Sequence, residues 1–190
     1  FQNFPHETQN NNFLIETGAY GGIRVYTPVD SSFVPAIGDS VRVSGVLGES
    51  QCQTEIVLAA GCATVLASNR PVHPRLLAGL SGISSEENES MLVRLVGPFA
   101  VTAGFDSTDL GREFQIATLA DTAYVGDDTF FPDSLGYSPV PLAGAQIAAL
   151  TGIVAHRRVD TTIPGPRRHP ELLLGGMAVV HGSTLGVSSA

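Results

Sequence analysis

The sequence predicts an all-β protein built from two similar units, and three observations carry that expectation. Apolar and polar residues alternate with a period of two along most of the chain, as in Ser40-Val41-Arg42-Val43-Ser44-Gly45-Val46, the pattern of a half-buried strand. Turn chemistry recurs between such segments; Gly38-Asp39 is one instance. The chain also repeats itself. Phe4 and Phe13 stand nine positions apart, as do Phe105 and Phe114. Phe13-Leu14-Ile15-Glu16 matches Phe114-Gln115-Ile116-Ala117, and Thr54-Glu55-Ile56 matches Pro170-Glu171-Leu172. The stretch 36–47 matches 142–154 with one insertion. Two copies of one unit account for the 190 residues, and many short strands with regular turns build a barrel or a sandwich.

In the first unit, residues 1–68, the alternation places strands at 13–16, 22–26, 40–46, 54–58 and 63–66. Residues 69–88, with Pro71 and Pro74, read as a linker. Within and just beyond it, 75–80 and 84–90 carry short helical patterns, with Ser84 or Ser85 as cap and Glu86 and Glu87 in the first turn. In the second unit, residues 89–190, strands are expected at 91–96, 99–103, 114–119, 146–154, 171–174 and 177–180.

Composition narrows the function classes. The net charge is −8, and all ten basic residues are arginines. A protein that holds the phosphate backbone draws on Lys and Arg, so nucleic-acid binding is expected to be weak or absent. The arginines do gather late, at Arg157, Arg158, Arg167 and Arg168, where an anion could be held; a charged hairpin tip is the alternative reading. No apolar run approaches the roughly 20 residues of a membrane span. The chain opens Phe1-Gln2-Asn3 and reads as a processed product. Its two cysteines, Cys52 and Cys62, suit a disulfide in a secreted protein, with two free thiols as the alternative.

The phrase Phe13-Leu14-Ile15-Glu16, followed by Gly22-Ile23-Arg24-Val25-Tyr26, by Gly38-Asp39-Ser40-Val41-Arg42-Val43-Ser44-Gly45-Val46-Leu47-Gly48-Glu49 and by Thr54-Glu55-Ile56, resembles the OB-like domains of secreted bacterial nucleases. Glu89-Ser90-Met91-Leu92-Val93-Arg94-Leu95 is similar to the opening of the second OB-like domain in that family. The resemblance implies two tandem OB-like β-barrels and an extracellular location. It implies no activity, because the chemistry of such proteins lies in a separate phosphodiesterase domain.

The residues themselves offer no catalytic constellation. Gly38-Asp39-Ser40 enters an alternating strand rather than the sharp turn that an exposed nucleophile needs. The five histidines are scattered. Two cysteines ten positions apart without a near histidine do not make a zinc site, and no cofactor or metal is expected. Asp121, Asp127, Asp128 and Asp133 offer calcium-type oxygens without EF-hand spacing. Phe13, Tyr26, Phe99 and Phe114 fall in strands and read as core rather than as a stacking platform. Asn88-Glu89-Ser90 has the form of a glycosylation acceptor.

The expected function is a secreted, non-catalytic structural protein that associates with itself into filaments or a surface array. The alternative is an oligonucleotide- or glycan-binding module. Self-association rests on the repeat. In the second unit the strand from residue 91 precedes Phe105; the first unit's counterpart falls fourteen positions before Phe4, where three residues stand. A barrel without that strand exposes two unpaired edges. The C-terminal stretch with Val179, Val180, Thr184, Leu185 and Val187 is uncharged apart from His181 and is the candidate donor of an inter-subunit strand.

Overall fold

In a computed structural model, the chain is described over residues 12–17, 21–27, 33–50, 53–108, 111–126, 143–159 and 167–174. It is all-β: no α-helix occurs among the described residues, and ten strands form two sheets. The first sheet holds β1 (Phe13–Thr17), β2 (Gly21–Tyr26), β3 (Ser40–Ser50) and β4 (Gln53–Ala67). The second holds β5 (Arg75–Leu76), β6 (Leu92–Thr108), β7 (Gly111–Ala117), β8 (Thr122–Gly126), β9 (Gln146–Val159) and β10 (Arg167–Leu174).

The second sheet closes on itself. Its order is β5-β6-β7-β8-β10-β9, and β6 also pairs with β9. Closure depends on the length of β6, seventeen residues. Its first half, from Leu92 to Ala100, faces β9, and the stretch from Ala100 onward faces β7. Inside sit Val93, Leu95, Phe99, Ile116, Val125 and Leu150, each almost wholly buried.

The first sheet has the order β1-β2-β4-β3 and does not close among the described residues. It is a half-barrel, so the all-β class is met and the expectation of two tandem barrels is not confirmed among the described residues. The repeat nonetheless holds strand by strand. Phe13 faces Val25, Val25 faces Ile56 and Ile56 faces Leu47. In the second sheet Phe114 faces Val125, Val125 faces Leu172 and Leu172 faces Val154. Each sheet has the same parallel pair at its centre, β2 with β4 and β8 with β10. Among the described residues, the first sheet has no counterpart of β6.

The half-barrel core is correspondingly small. Phe13, Val25 and Leu58 are buried, with Ile15, Phe33, Val41 and Val43 packed against them. The Phe13 and Phe33 rings lie 5.8 Å apart at a tilt of 54°, a favourable edge-to-face type of contact. Arg24 and Glu55, register partners across the parallel pair, form a buried ion pair at 3.7 Å.

Several local expectations change. The strands expected at 54–58 and 63–66 are one strand, β4, interrupted only by an irregular pairing step opposite Val43 and Gly45. The strand expected at 114–119 stops at Ala117, because the Thr118 N–H and hydroxyl close a turn with Asp121. The two helical patterns become 3-10 turns, Leu80–Ser84 and Glu86–Asn88, while Arg75–Leu76 pairs with β6. Ser85 stands at the start of the second turn but its side chain does not cap it. The stretch read as a linker is not a bare connector. Leu77, Leu80 and Ile83 are buried in the core of the closed barrel, where apolar burial outweighs the weak intrinsic preference of so short a segment for helix.

The two sheets meet at β2, β4 and the turn before β6. A Cβ added at Gly22 would lie 2.2 Å from the Ser90 carbonyl oxygen, which is backbone and cannot swing aside. Gly22→Ala is expected to force the two units apart and to cost about 1–3 kcal/mol, read as a lowered urea midpoint.

Candidate functional site

The open side of the half-barrel borders a cleft of about 520 Å³. One wall is β1, whose residues Phe13–Thr17 all line it. The other is the start of β3, Ser40 and Val41, with the turn before it. That turn is built locally: the Asp39 N–H donates to the Ala36 carbonyl at 3.0 Å, and the Asp39 carboxylate accepts the Ala36 N–H at 2.9 Å. The Ser68 side chain, and after it the Ala36 N–H, hold the Asp39 carboxyl below its ordinary value. The floor comes from the second unit, through Ser90, Leu92 and Ile153.

The floor is held by contacts between residues far apart in sequence. The Thr54 N–H donates to Glu89 Oε1 at 2.7 Å, and Gln53 Nε2 donates to Ser90 Oγ at 2.8 Å. Glu16, on β1, accepts the Leu92 N–H at the first residue of β6. Partial burial pushes the Glu16 carboxyl above its ordinary value, and the Leu92 N–H pulls it partly back. Leu14 packs beside Leu92, Ile153 and Ala155.

The cleft is lined by polar as well as apolar side chains. Ser40 and His73 both line it, yet among the described residues no hydrogen bond joins them, and Ser40 lies in a strand. Its walls are instead strand edges. Among the described residues nothing pairs with the outer side of β1 or of β3. Further along β3, Val46 and Leu47 are 72% and 71% exposed, whereas their repeat counterparts Ile153 and Val154 are 2% and 0% exposed.

The expected site residues fare differently. Backbone register brings the arginines of β9 and β10 together: Arg168 faces Arg158, His169 faces Arg157 and Arg167 faces Val159. Cys62 is exposed and unpaired among the described residues; Cys52 lies outside them. Gln53 faces Ser50 and Ala63 faces Val43, a separation along β3 on the order of 20 Å. The expected Cys52–Cys62 bridge falls on a residue outside those described. Asn88 is 2% exposed and its amide donates to the Gly82 carbonyl at 2.8 Å; the folded chain does not present it as a glycosylation acceptor. The candidate donor residues Val179, Val180, Thr184, Leu185 and Val187 lie outside the described residues, as do Asp127, Asp128 and Asp133. No group of metal-ligating side chains occurs among the described residues, and no helix there is long and apolar enough to cross a membrane.

No protein-family model matches the sequence, and no curated protein matches it.

Glu16 makes the cleft wall sensitive to pH. A carboxyl raised above its ordinary value favours the fold when protonated. That stability is complete below the ordinary carboxylate range and is lost as pH rises through the raised value. Glu16→Gln keeps an oxygen for the Leu92 N–H without the charge. Its stability relative to the parent is expected to increase from about pH 3 to about pH 7, as urea unfolding at both values measures.

Proposed function

We propose that this chain is a non-catalytic extracellular subunit that associates with copies of itself, built on two OB-like units of which the first receives a strand from outside. The observation that supports this most is that, among the described residues, nothing pairs with the outer edges of β1 and β3, which stand on either side of one cleft. A sheet edge is a row of N–H and C=O groups that pairs readily with another chain. Such a contact joins unlike surfaces head to tail, and a head-to-tail contact that does not close makes a filament. The low share of charged residues, 15% against roughly 25% in an average soluble domain, suits a surface that is largely covered in an assembly. The extracellular location rests on the nuclease-domain resemblance.

A second reading is favoured by the arginine register across β9 and β10: an OB-like module that binds an oligonucleotide or an anionic glycan. The net charge of −8 opposes it. Under the first reading, sedimentation of the full chain shows a mass that rises with concentration beyond that of one chain. A monomer at every concentration refutes it.

Single-stranded DNA is expected to bind only in the non-specific range, with dissociation constants of roughly 10⁻⁴–10⁻⁶ M or weaker. Whatever binding exists should vanish when Arg157, Arg158, Arg167 and Arg168 are all changed to Ala. Tight binding in a fluorescence-anisotropy titration, unaffected by that change, places the site elsewhere.

A further inference from the structure

We infer that two glutamates latch the units together in a reciprocal exchange: Glu16 of the first unit holds the main chain of the second, and Glu89 of the second holds the main chain of the first. The inference goes beyond the assembly reading and stands without it. The Leu92 N–H donates to Glu16 Oε1, and the Thr54 N–H donates to Glu89 Oε1 at 2.7 Å. Both arms meet one short segment, because Glu89 and Leu92 are three positions apart. Hydrogen bonds to an ionised carboxylate are stronger than neutral ones, and Glu89 is buried.

That segment is also the seam of the closed barrel. The Ser90 N–H donates to the Val154 carbonyl at 2.8 Å, and the Val154 N–H donates to the Met91 carbonyl at 3.1 Å. Leu92 then faces Ile153, the first register pair between β6 and β9. Between the two arms, Ser90 is buried with a φ of 60°. A residue other than glycine takes this left-handed conformation uncommonly, and it persists where the surroundings enforce it. Here the other unit does part of the enforcing. Gln53 Nε2 donates to Ser90 Oγ at 2.8 Å, and Gly22 leaves no room for a Cβ beside the Ser90 carbonyl. Leu14 covers the seam by packing on Leu92, Ile153 and Ala155. The first unit thus holds the barrel seam in shape from outside. An opened latch frees both arms together and loosens the start of β6.

The Glu16 arm responds to pH. The charged groups around it are Arg24 on β2, paired with Glu55; Asp39, Arg70 and His73 along the cleft; and Glu89 before β6. Ile153 of β9 brings no charge. Burial is the largest influence on the Glu16 carboxyl and pushes it above its ordinary value. The arm is therefore tightest while Glu16 carries its proton, and it loosens as pH rises through the raised value.

Amide hydrogen exchange on the full chain, read by mass spectrometry at the peptides that hold Thr54 and Leu92, tests the latch. Glu16→Ala and Glu89→Ala each remove one arm. Each is expected to speed exchange about tenfold or more at the N–H that the other glutamate holds, the scale of one hydrogen bond to a charged group. Exchange in β7 and β8 is expected to stay unchanged. Glu16→Gln keeps an oxygen for Leu92 and carries the second measurement. In the parent, protection at both amides, corrected for the intrinsic exchange rate, is expected to fall from about pH 4 to about pH 7. The fall is expected to vanish in Glu16→Gln and to persist in His73→Gln. Exchange that quickens only at the N–H the removed glutamate itself held overturns the latch. So does an equal rise in β7 and β8, which marks unfolding of the whole chain. A flat profile in the parent, or one that survives in Glu16→Gln, overturns the pH response of the Glu16 arm.

Discussion

Everything in this molecule turns on whether one long strand is present. In the closed unit β6 is hydrogen-bonded on both sides, to β9 over its first half and to β7 over its second. That single strand converts an open sheet into a ring and seals the core beneath it. Among the described residues, the first unit shows four strands in the corresponding order, with the same parallel centre and register. Among those residues nothing pairs with its two outer edges. The same sequence pattern thus yields a barrel with fully buried Ile116, Ile147 and Val154 in one half and a sheet with exposed Val46 and Leu47 in the other.

Exposed edges in natural sheets are usually blunted by lysines, prolines, short strands or inward charges. Edge strand β3 has little of this. It is eleven residues long, contains no proline or lysine, and carries charge only at Arg42 and Glu49. Its pairing is irregular at two steps, between Ser40 and Val41 and between Val43 and Gly45. Such an edge is costly for a protein that stays alone, and it is consistent with one that is covered in its working state. The contrast with β6 is instructive: it too is long and contains Val96 exposed beside Gly97 and Pro98, but both of its sides are paired.

The all-β class and the repeat were legible because alternation with period two follows directly from the geometry of a pleated strand. The matched pairs Phe13 with Phe114 and Glu55 with Glu171 occupy equivalent register positions. The short β8 was missed because Thr-Ala-Tyr-Val-Gly is too brief to establish a period beside an acidic run. The helical expectation at 84–90 came from local capping chemistry, and tertiary packing overrode it, burying Asn88, Glu89 and Ser90 against the first unit and the barrel. The cleft itself had no sequence signal. Glu16 meets Leu92 across 76 positions, and Gln53 meets Ser90 across 37; no local pattern encodes such distances. The difference between the two sheets is read by setting the repeat partners side by side, strand by strand.

Charge separates the two functional readings through the sign of their salt dependence. Copies of a chain bearing −8 repel one another, and the repulsion is screened beyond about 10 Å at 0.1 M salt. Pairing of strands through main-chain hydrogen bonds is short-ranged and is scarcely weakened by ions. Self-association should therefore strengthen, or at least persist, as salt rises. An anion held by Arg157, Arg158, Arg167 and Arg168 behaves in the opposite way, because its affinity derives largely from released counterions and falls steeply with salt. The two surfaces lie in different units, one on β1 and β3 and the other on β9 and β10. Their opposite responses let each be followed in the same solution without disabling the other.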